Sequence, residues 1–426
     1  MLLIPTEEAL ITEIRARLGT LPEKLGVAVS GGSDSMALLH LLNAMSRTSE
    51  TEVYVATVDH GLRRESRQEA ECVAARAAEL GLQHDILTWH SPAESGNLQG
   101  EARAARYRLL ALWAKARGLQ AVAVGHTADD QAETLVMRLR RASGVTGLSG
   151  MSVRHLRDGI ELLRPLLRVH RKDLRTYLTD RSIPWIDDPS NNDTRFERVR
   201  VREALTALEP LGLTIDALTA VADNMRMADA ALDHAMRVAA AELGQVRLGA
   251  VVLDRAGFHD LQDEVARRLL VAAITYVSGA DYPPRRAPLL DACHALREGR
   301  GLTLQGCQLV VKSDRIWVCR EYEAVRETCI EHVSEQRSDV VWDNAWKLSV
   351  PPNIPHDTKL RALGDDGLRL MEDWRRHAVP REVLKPLPAV WQGGELIAVP
   401  PLEQSSVWST AAMRLSETWA TRSLSH

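Results

Sequence analysis

Residues 25–42 read Leu-Gly-Val-Ala-Val-Ser-Gly-Gly-Ser-Asp-Ser-Met-Ala-Leu-Leu-His-Leu-Leu. The apolar run from Leu25 to Val29 predicts a buried strand, and Met36 with the following leucines predicts the apolar face of a helix. A polar turn with two glycines joins them. Such a turn lets the backbone approach an anion, and the free N–H groups and dipole of the helix start favour negative charge. The stretch therefore predicts an anion site on an α/β sheet.

The turn consists of Ser30, Gly31, Gly32, Ser33, Asp34 and Ser35. It differs from a Walker A loop, because no lysine follows, and from a dinucleotide fingerprint, because the third glycine is missing. Asp34 would repel a phosphate unless a cation lies between them, so its presence suggests a bridging Mg²⁺. An ordinary strand-to-helix turn capped by Ser or Asp is the alternative interpretation.

Strands and helices alternate over the first 180 residues. We expect strands at 25–29, 52–58, 84–89, 121–124 and 160–167, and helices at 6–20, 65–80, 97–117, 127–143 and 170–181. This pattern is typical of βαβ units, hence of a parallel sheet that binds ligands at the carboxyl ends of its strands. Polar clusters follow three of these strands, at 30–35, 59–63 and 126–133.

The third cluster is rich in groups that bind metals or move protons. It comprises His126, Asp129, Asp130 and Glu133, with His126 and Asp130, and likewise Asp129 and Glu133, four residues apart. On a helix each pair shares a face. The set is typical of a metal or proton-transfer site, although the helix dipole alone accounts for one acid in a first turn.

The whole chain of 426 residues has a net charge of −4, but residues 138–202 hold fifteen Lys or Arg against eight acids. A local excess of that size suits a phosphate-tracking face, or else solvated helix faces with internal ion pairs. Arg103 and Arg106 lie on adjacent helical turns and could hold a phosphate or a base edge. An exposed helix with surface arginines explains them equally well.

Composition limits the other possibilities. The five cysteines are scattered, which fits a reducing cytosol and argues against a zinc or iron–sulfur site. We see no signal peptide and no transmembrane stretch, so we expect a cytoplasmic protein without membrane contact. The oligomeric state, monomer or homodimer, stays open.

Length and linker residues predict three domains: a catalytic domain at 1–209, a helical and mixed domain at 213–325, and a small mixed α/β domain at 330–426. The second contains a long helix at 215–243, helices at 257–277 and 285–298, and strand pairs at 246–253 and 302–319. In the third, Gly393-Gly394 predicts a hairpin turn. No catalytic motif occurs after residue 210.

Ser30–Ser35 resembles the S-G-G-x-D-S loop of the PP-loop ATP pyrophosphatases. Within that superfamily a longer series of motifs, in order over about 200 residues, resembles the tRNA(Ile)-lysidine synthetases. The matching pieces are Asp59-His60-Gly61-Leu62-Arg63 with Glu65-Ser66, Asn97-Leu98-Gln99, Ala102-Arg103 with Arg106-Tyr107, His126 with Asp129–Thr134, Arg138, Gly144 to Met151, Arg164-Pro165-Leu166-Leu167, and Trp185–Asn191 leading into Arg198 and Arg202.

The resemblance implies an α/β PP-loop domain and a ligase that uses ATP and Mg²⁺. Its substrates would be L-lysine and the isoleucine tRNA with a CAU anticodon. AMP would be transferred to the wobble cytidine with release of pyrophosphate, and the lysine amine would then displace AMP. The product would read AUA instead of AUG and carry isoleucine instead of methionine.

The resemblance also implies roles for residues. Catalysis would fall to Asp34, Asp129, Asp130, Glu133 and His126. Nucleotide binding would involve Ser30, Gly31, Gly32, Ser33, Asp34, Ser35, Val58 and Arg106, and metal binding Asp34 and Asp130. The tRNA would contact Arg103, Arg138, Arg198 and Arg202, with the C-terminal domains binding the rest of it.

Two departures from the family pattern stand out. Thr127 occupies the place of a second histidine, and Val199 that of an asparagine between the two arginines. Other readings remain: a tRNA thiolase, disfavoured because Cys72 is alone in the first 290 residues, a binding protein whose catalysis has lapsed, and an amidating synthetase, which would turn over without tRNA.

Overall fold

The computed structural model describes residues 6–61, 66–89, 98–187, 195, 197–280, 282–331, 339–352, 354–402, 408–414 and 419–420. Several residues of the matching motifs lie outside these ranges: Leu62, Arg63, Glu65, Asn97 and 188–191. The chain separates into two compact units, with the boundary between Asp229 and Ala230. The division into three domains stays a prediction.

The N-terminal unit is built on a six-stranded sheet in the order β3-β2-β1-β4-β6-β5. All neighbouring strands are parallel except the edge pair β5 and β6. The strands are β1 Lys24–Ala28, β2 Glu52–Asp59, β3 Gln83–Thr88, β4 Ala121–Val124, β5 Arg154–Arg157 and β6 Ile160–Leu163. After β1 the chain forms β2 on one side of β1, and β4 later pairs with the other side. The strand order therefore reverses between β1 and β4, and the crevice at such a point is where sheets of this kind bind ligands.

Helices lie on both faces of this sheet, with α2 on one face and α4 on the other. The helices up to residue 243 are α1 Glu7–Leu18, α2 Ser33–Ser46, α3 Ser66–Glu79, α4 Leu98–Arg117, α5 Ala128–Arg140, α6 Val145–Leu148, α7 Arg171–Asp180, α8 Glu197–Leu208 and α9 Ile215–Leu243, which continues past the unit boundary. Alternate residues of β1 enter different cores: Val27 joins the leucines of α2, and Ala28 joins the cluster of α4. This alternation is the period-two geometry of a strand buried on both faces.

The predicted fifth strand differs from the structure. It ends at Leu163 instead of 167, because Pro165 has no N–H to continue the ladder. The unpredicted β5 precedes it and pairs with it antiparallel. Asp158 and Gly159 join the two strands with φ of 51° and 78°, as in a tight Asp-Gly hairpin. The predicted α/β class with a parallel N-terminal sheet is confirmed.

The C-terminal unit is antiparallel. Its sheets have the orders β7-β8-β11-β10-β9, β12-β15-β16-β17 and β13-β14-β18. The strands are β7 Gly244–Arg247, β8 Ala250–Asp254, β9 Leu302–Leu304, β10 Cys307–Lys312, β11 Arg315–Arg320, β12 Cys329–Ile330, β13 Asp339–Trp342, β14 Trp346–Ser349, β15 Thr358–Ala362, β16 Pro388–Gln392, β17 Glu395–Ala398 and β18 Ser409–Ala412. The helices are α10 Arg255–Asp260, α11 Asp263–Ser278, α12 Arg286–Arg297, α13 Gly364–Leu370 and α14 Arg381–Leu384.

Two predicted features of this unit can be compared with the structure. The helix expected at 257–277 is divided into α10 and α11. The hairpin turn at Gly393 and Gly394 is confirmed, with φ of 54° and 103°. Within the described residues, no single helix is long and apolar enough to cross a membrane; one pair bent by 99°, Glu197–Leu211 with Ile215–Leu243, meets the length and composition criteria together.

Candidate active site

The polar turn after β1 has the geometry of an anion-binding loop. Gly31 has a φ of +87°, which favours glycine, and Gly32 is the extended N-cap of α2. Ser35 Oγ accepts from the Ser30 N–H at 3.1 Å and donates to the Gly32 carbonyl at 3.0 Å. These bonds hold the loop closed on itself, so the N–H groups at the start of α2 need no rearrangement to meet an anion.

The end of β4 lies against the same loop. A Cβ on Gly125 would stand 3.1 Å from backbone atoms of Asp34 and Ser35, so a larger residue would push the loop away, and glycine permits the close approach. Thr127 then caps α5 in a reciprocal box: its Oγ1 accepts from the Asp130 N–H, and Asp130 Oδ2 accepts from the Thr127 N–H at 2.9 Å. The threonine that departs from the family pattern therefore fixes the Asp130 carboxylate.

Arg171, the first residue of α7, joins the loop to the carboxylates of α5. Its Nε donates to Asp34 Oδ2 at 2.9 Å and its backbone N–H to Asp129 Oδ2 at 2.8 Å. Its Nη2 lies 3.5 Å from Asp130 Oδ1 and its Nη1 3.6 Å from Glu133 Oε1. The structure thus brings the predicted acids of two separate motifs into one cluster, around an arginine that the sequence analysis did not select.

Two predicted tRNA-binding arginines also contact this cluster. Arg198 Nη1 lies 3.4 Å from Asp130 Oδ1, and Arg202 Nε donates to Glu133 Oε1 at 2.6 Å. Arg138, in contrast, donates to the carbonyls of Gly147 and Gly150 and so holds the turn around α6. The assignment of these three arginines to tRNA stays a prediction.

Burial and neighbouring charges separate the acids of the cluster. Burial raises the pKa of Glu133, and the nearby charge of Asp130 raises it further, against Arg202 and Arg171. Burial likewise raises the pKa of Asp34 despite its pairing with Arg171. Burial also acts to raise the pKa of Asp130, but His126, Arg171 and Arg198 outweigh it, so that pKa lies below its ordinary value.

His126 follows β4 and is buried. Burial is the main reason that its pKa falls to about 3, so the imidazole is neutral near pH 7. Its Nδ1 has no hydrogen-bond partner among the described residues, and neither has the buried Oε2 of Glu133. Buried polar atoms of this kind are rare in folded proteins and mark places where a ligand or water is expected.

A cavity of about 430 Å³ opens beside the cluster. Both signs of charge occur in its wall, together with apolar side chains. The lining residues are Asp129, Glu133, His170, Arg171, Lys172, Arg202, Leu205, Thr206, Glu209, Leu213, Thr214, Ile215 and Asp216. Its size and mixed lining suit a small zwitterionic molecule.

A second group of cations surrounds Tyr107 on α4. The guanidinium of Arg157 lies 4.1 Å from the ring centroid and that of Arg103 5.5 Å. In the described parts of the chain, Arg103, Arg106 and Arg164 have no carboxylate within ion-pair distance, and Arg157 has Asp158 at 3.7 Å. Arg164 is buried, and its Nε has no partner there.

The donor set suits Mg²⁺. Asp34 and Asp130 would supply carboxylate oxygens, and Mg²⁺ is commonly held by one or two carboxylates together with substrate phosphates. In the described residues, no group of three or more His, Cys, Asp or Glu is placed to hold a metal without such help.

Val58, which the sequence analysis predicts to bind the nucleotide, lies near the end of β2 and is partly exposed at the same edge of the sheet.

Comparisons with known proteins agree with this geometry. The family described as "PP-loop domain" matches residues 7–209, and such a domain implies ATP as its nucleotide. The tRNA(Ile)-lysidine synthase of Ruegeria pomeroyi is 43% identical over 427 residues, covering 100% of both chains. That of Wolbachia pipientis wMel is 32% identical and covers 88% of each chain. That of Hyphomonas neptunium is 37% identical and covers 71% of this chain and 84% of its own. The chain belongs to the tRNA(Ile)-lysidine synthase family of PP-loop ligases.

Proposed function

We propose that this enzyme uses ATP to join L-lysine to the wobble cytidine of the isoleucine tRNA with a CAU anticodon. The observation that carries the proposal is the meeting of Asp34 with Asp129, Asp130 and Glu133 around Arg171. An anion-binding loop and a cluster of carboxylates thereby occupy one site. The loop can bind the ATP phosphates in the first step of the reaction, and a carboxylate can take the proton of the lysine amine in the second.

The first step makes a leaving group. The cytidine O2 attacks the α-phosphorus of ATP, the bond to the bridging oxygen breaks, and pyrophosphate departs. The N–H groups at the start of α2 and the hydroxyls of Ser30 and Ser33 bind the phosphates, while the Ser35 hydroxyl holds the loop in shape. Asp34 and Asp130 would hold a Mg²⁺ ion, whose charge would stabilise the leaving pyrophosphate.

The second step needs a neutral amine. The ε-amine of lysine attacks C2 of the adenylated cytidine, the C2–O bond breaks, and AMP leaves. Glu133 is the best candidate to take the proton of the amine, because its pKa is raised and its Oε2 has no partner in the described residues. His126 and Asp130 have lowered pKa values and are weaker bases.

The cavity beside Glu133 is a suitable place for the lysine. Asp129 and Glu133 can receive its ammonium groups, while Lys172 and Arg202 can receive its carboxylate. Leu205, Leu213 and Ile215 offer apolar surface to the methylene chain. Charge of both signs with apolar wall between them is what a basic amino acid requires.

The cations around Tyr107 support binding of RNA. Arg103, Arg106, Arg157 and Arg164 bring more positive charge to one place than the neighbouring carboxylates neutralise. RNA supplies both phosphates and bases that stack on guanidinium or aromatic planes. We assign this cluster to the anticodon loop.

Incorporation of radiolabelled lysine into tRNA with Mg-ATP tests the proposal. Wild type should incorporate lysine, and Asp34→Ala should lower the rate by about 10²–10³-fold, the scale for loss of one preorganised electrostatic contact. Asp180→Ala, an exposed acid at the end of α7, is the matched control. Failure of folded wild type to incorporate lysine would contradict the proposal, and sulfur transfer would be assayed next.

A further inference from the structure

Every nitrogen of the Arg171 guanidinium faces a carboxylate. Nε meets Asp34 at 2.9 Å, Nη2 meets Asp130 at 3.5 Å, and Nη1 meets Glu133 at 3.6 Å. The side chain is largely buried, with 19% of its surface exposed. The three acids come from the anion-binding loop at residues 30–35 and from α5. Arg198 and Arg202 each pair with one acid of α5, whereas Arg171 meets all three acids and links the loop to the helix.

The oxygens that Arg171 occupies are those that a divalent cation would need. The other oxygen of Asp34 accepts from Ser33 Oγ at 3.1 Å, and the other oxygen of Asp130 accepts from Thr127. Asp34 Oδ2 and Asp130 Oδ1 remain. Both face Arg171, and Arg198 Nη1 also lies 3.4 Å from Asp130 Oδ1, so only the oxygen of Asp34 meets Arg171 alone among the described residues. A doubly charged ion at these oxygens would share lone pairs with the guanidinium and repel it.

Helix α7 also contacts the anion-binding loop at residues 30–35. One turn after Arg171, Arg175 Nε lies 3.4 Å from Ser33 Oγ, at the start of α2. The two arginines are four residues apart and share a helix face. A guanidinium released from the carboxylates therefore remains next to the loop, where its planar fork matches a phosphate.

We propose that Arg171 exchanges partners during the reaction: it pairs with Asp34, Asp130 and Glu133 in the nucleotide-free protein and binds a phosphate of ATP once Mg²⁺ takes the carboxylates. Metal and nucleotide are thereby coupled, and the nucleotide-free protein holds a divalent cation weakly. The inference rests on the proposed roles of Asp34 and Asp130 as the carboxylates that hold Mg²⁺.

Two binding measurements with Arg171→Gln test this exchange. The first is titration of the nucleotide-free protein with Mn²⁺, followed by electron paramagnetic resonance. The second is calorimetric titration with Mg-ATP. We expect Mn²⁺ to bind about tenfold more tightly, because its competitor is gone, and Mg-ATP about tenfold more weakly, because a charge-assisted phosphate contact is lost. Arg171→Lys, which keeps the charge without the fork, should fall between variant and wild type.

Lys172→Gln is the matched control, since it removes a positive charge from the next residue, in the wall of the same cavity. An equal Mn²⁺ shift in this control would overturn the exchange in favour of a general charge effect. Unchanged affinities in Arg171→Gln, or weakening of both, would also overturn it, because a purely structural residue gives those results.

The outcomes separate this inference from the proposed function. If wild type binds no Mn²⁺ even with ATP, the metal assignment fails and the exchange fails with it. If Arg171→Gln binds Mn²⁺ more tightly and Mg-ATP more weakly but wild type incorporates no lysine into tRNA, the exchange stands and the ligase proposal is wrong. Thermal unfolding of each variant, followed by circular dichroism, establishes that the titrated protein is folded.

Discussion

Each unit of the molecule buries an arginine among carboxylates, and the two sites differ in how completely they are closed. In the C-terminal unit Arg268 is fully buried, donates to Glu264 at 3.1 Å and pairs with Asp233. Its partners lie on α11 and α9. In the N-terminal unit Arg171 meets acids of a loop and a helix, beside a cavity and an unpartnered oxygen of Glu133.

The difference separates a structural ion pair from the site that we propose to be reactive. Arg268 ties two helices together, and Glu264 stays charged because Arg267 and Arg268 outweigh its burial and lower its pKa. Around Arg171 the carboxylates have pKa values shifted in opposite directions, which is common where groups exchange protons or ligands. Similar residues therefore form a closed ion pair in one unit and, in the other, an open cluster to which we assign the chemistry.

The largest expected effect comes from removing Arg268, the fully buried arginine of the C-terminal unit. Arg268→Ala leaves Asp233 without its buried partner, while Glu264 keeps Arg267, and we expect the free energy of unfolding to fall by about 3 kcal/mol. Urea unfolding followed by circular dichroism measures it. Arg300→Ala, which removes an exposed pair with Glu298, is the control and should lower the free energy of unfolding far less, because water screens an exposed pair. Equal losses in both variants would remove the distinction between the closed pair and a surface pair.

The next effect concerns the open site and its pH dependence. Glu133 must be ionised to accept a proton, and its pKa is raised, so the rate of lysine transfer should fall as the pH drops through a value above the ordinary 4.5. Glu133→Gln should lose about 10²-fold in single-turnover rate and lose this acid limb. Glu209→Gln, in the wall of the same cavity, should keep both. An acid limb that persists in Glu133→Gln would assign the base elsewhere.

The smallest effect concerns the cations around Tyr107. Arg157→Gln should weaken tRNA binding about threefold and reduce the slope of log K against log salt by about 0.7, the share of one phosphate contact on single-stranded RNA. Filter binding over a range of salt concentrations measures both quantities. Arg154→Gln, in the same hairpin but paired with Glu161 at 2.8 Å, is the control. If both variants lower the slope equally, the assignment of the Tyr107 cluster to RNA is wrong.

Local patterns were enough to predict most elements of the N-terminal sheet and the positions of its polar clusters. The strand at 121–124 is confirmed at both ends, and the loop at 30–35 and the acids at 129–133 lie at the carboxyl edge as expected. The edge strand Arg154–Arg157 was missed, because its short, polar sequence has no alternating apolar pattern. An Asp-Gly pair at the hairpin was the available signal.

The sequence by itself determined the parallel sheet, the anion-binding turn and the helix that carries the acids, because each depends on neighbours a few residues away. Only the tertiary structure decided which cations meet those acids. Arg171 lies 137 residues from Asp34 and 41 from Asp130 in the chain, and no spacing rule relates them. Acids collected at one edge of a sheet require counter-charges once they are buried, but the path of the folded chain selects which arginines supply them.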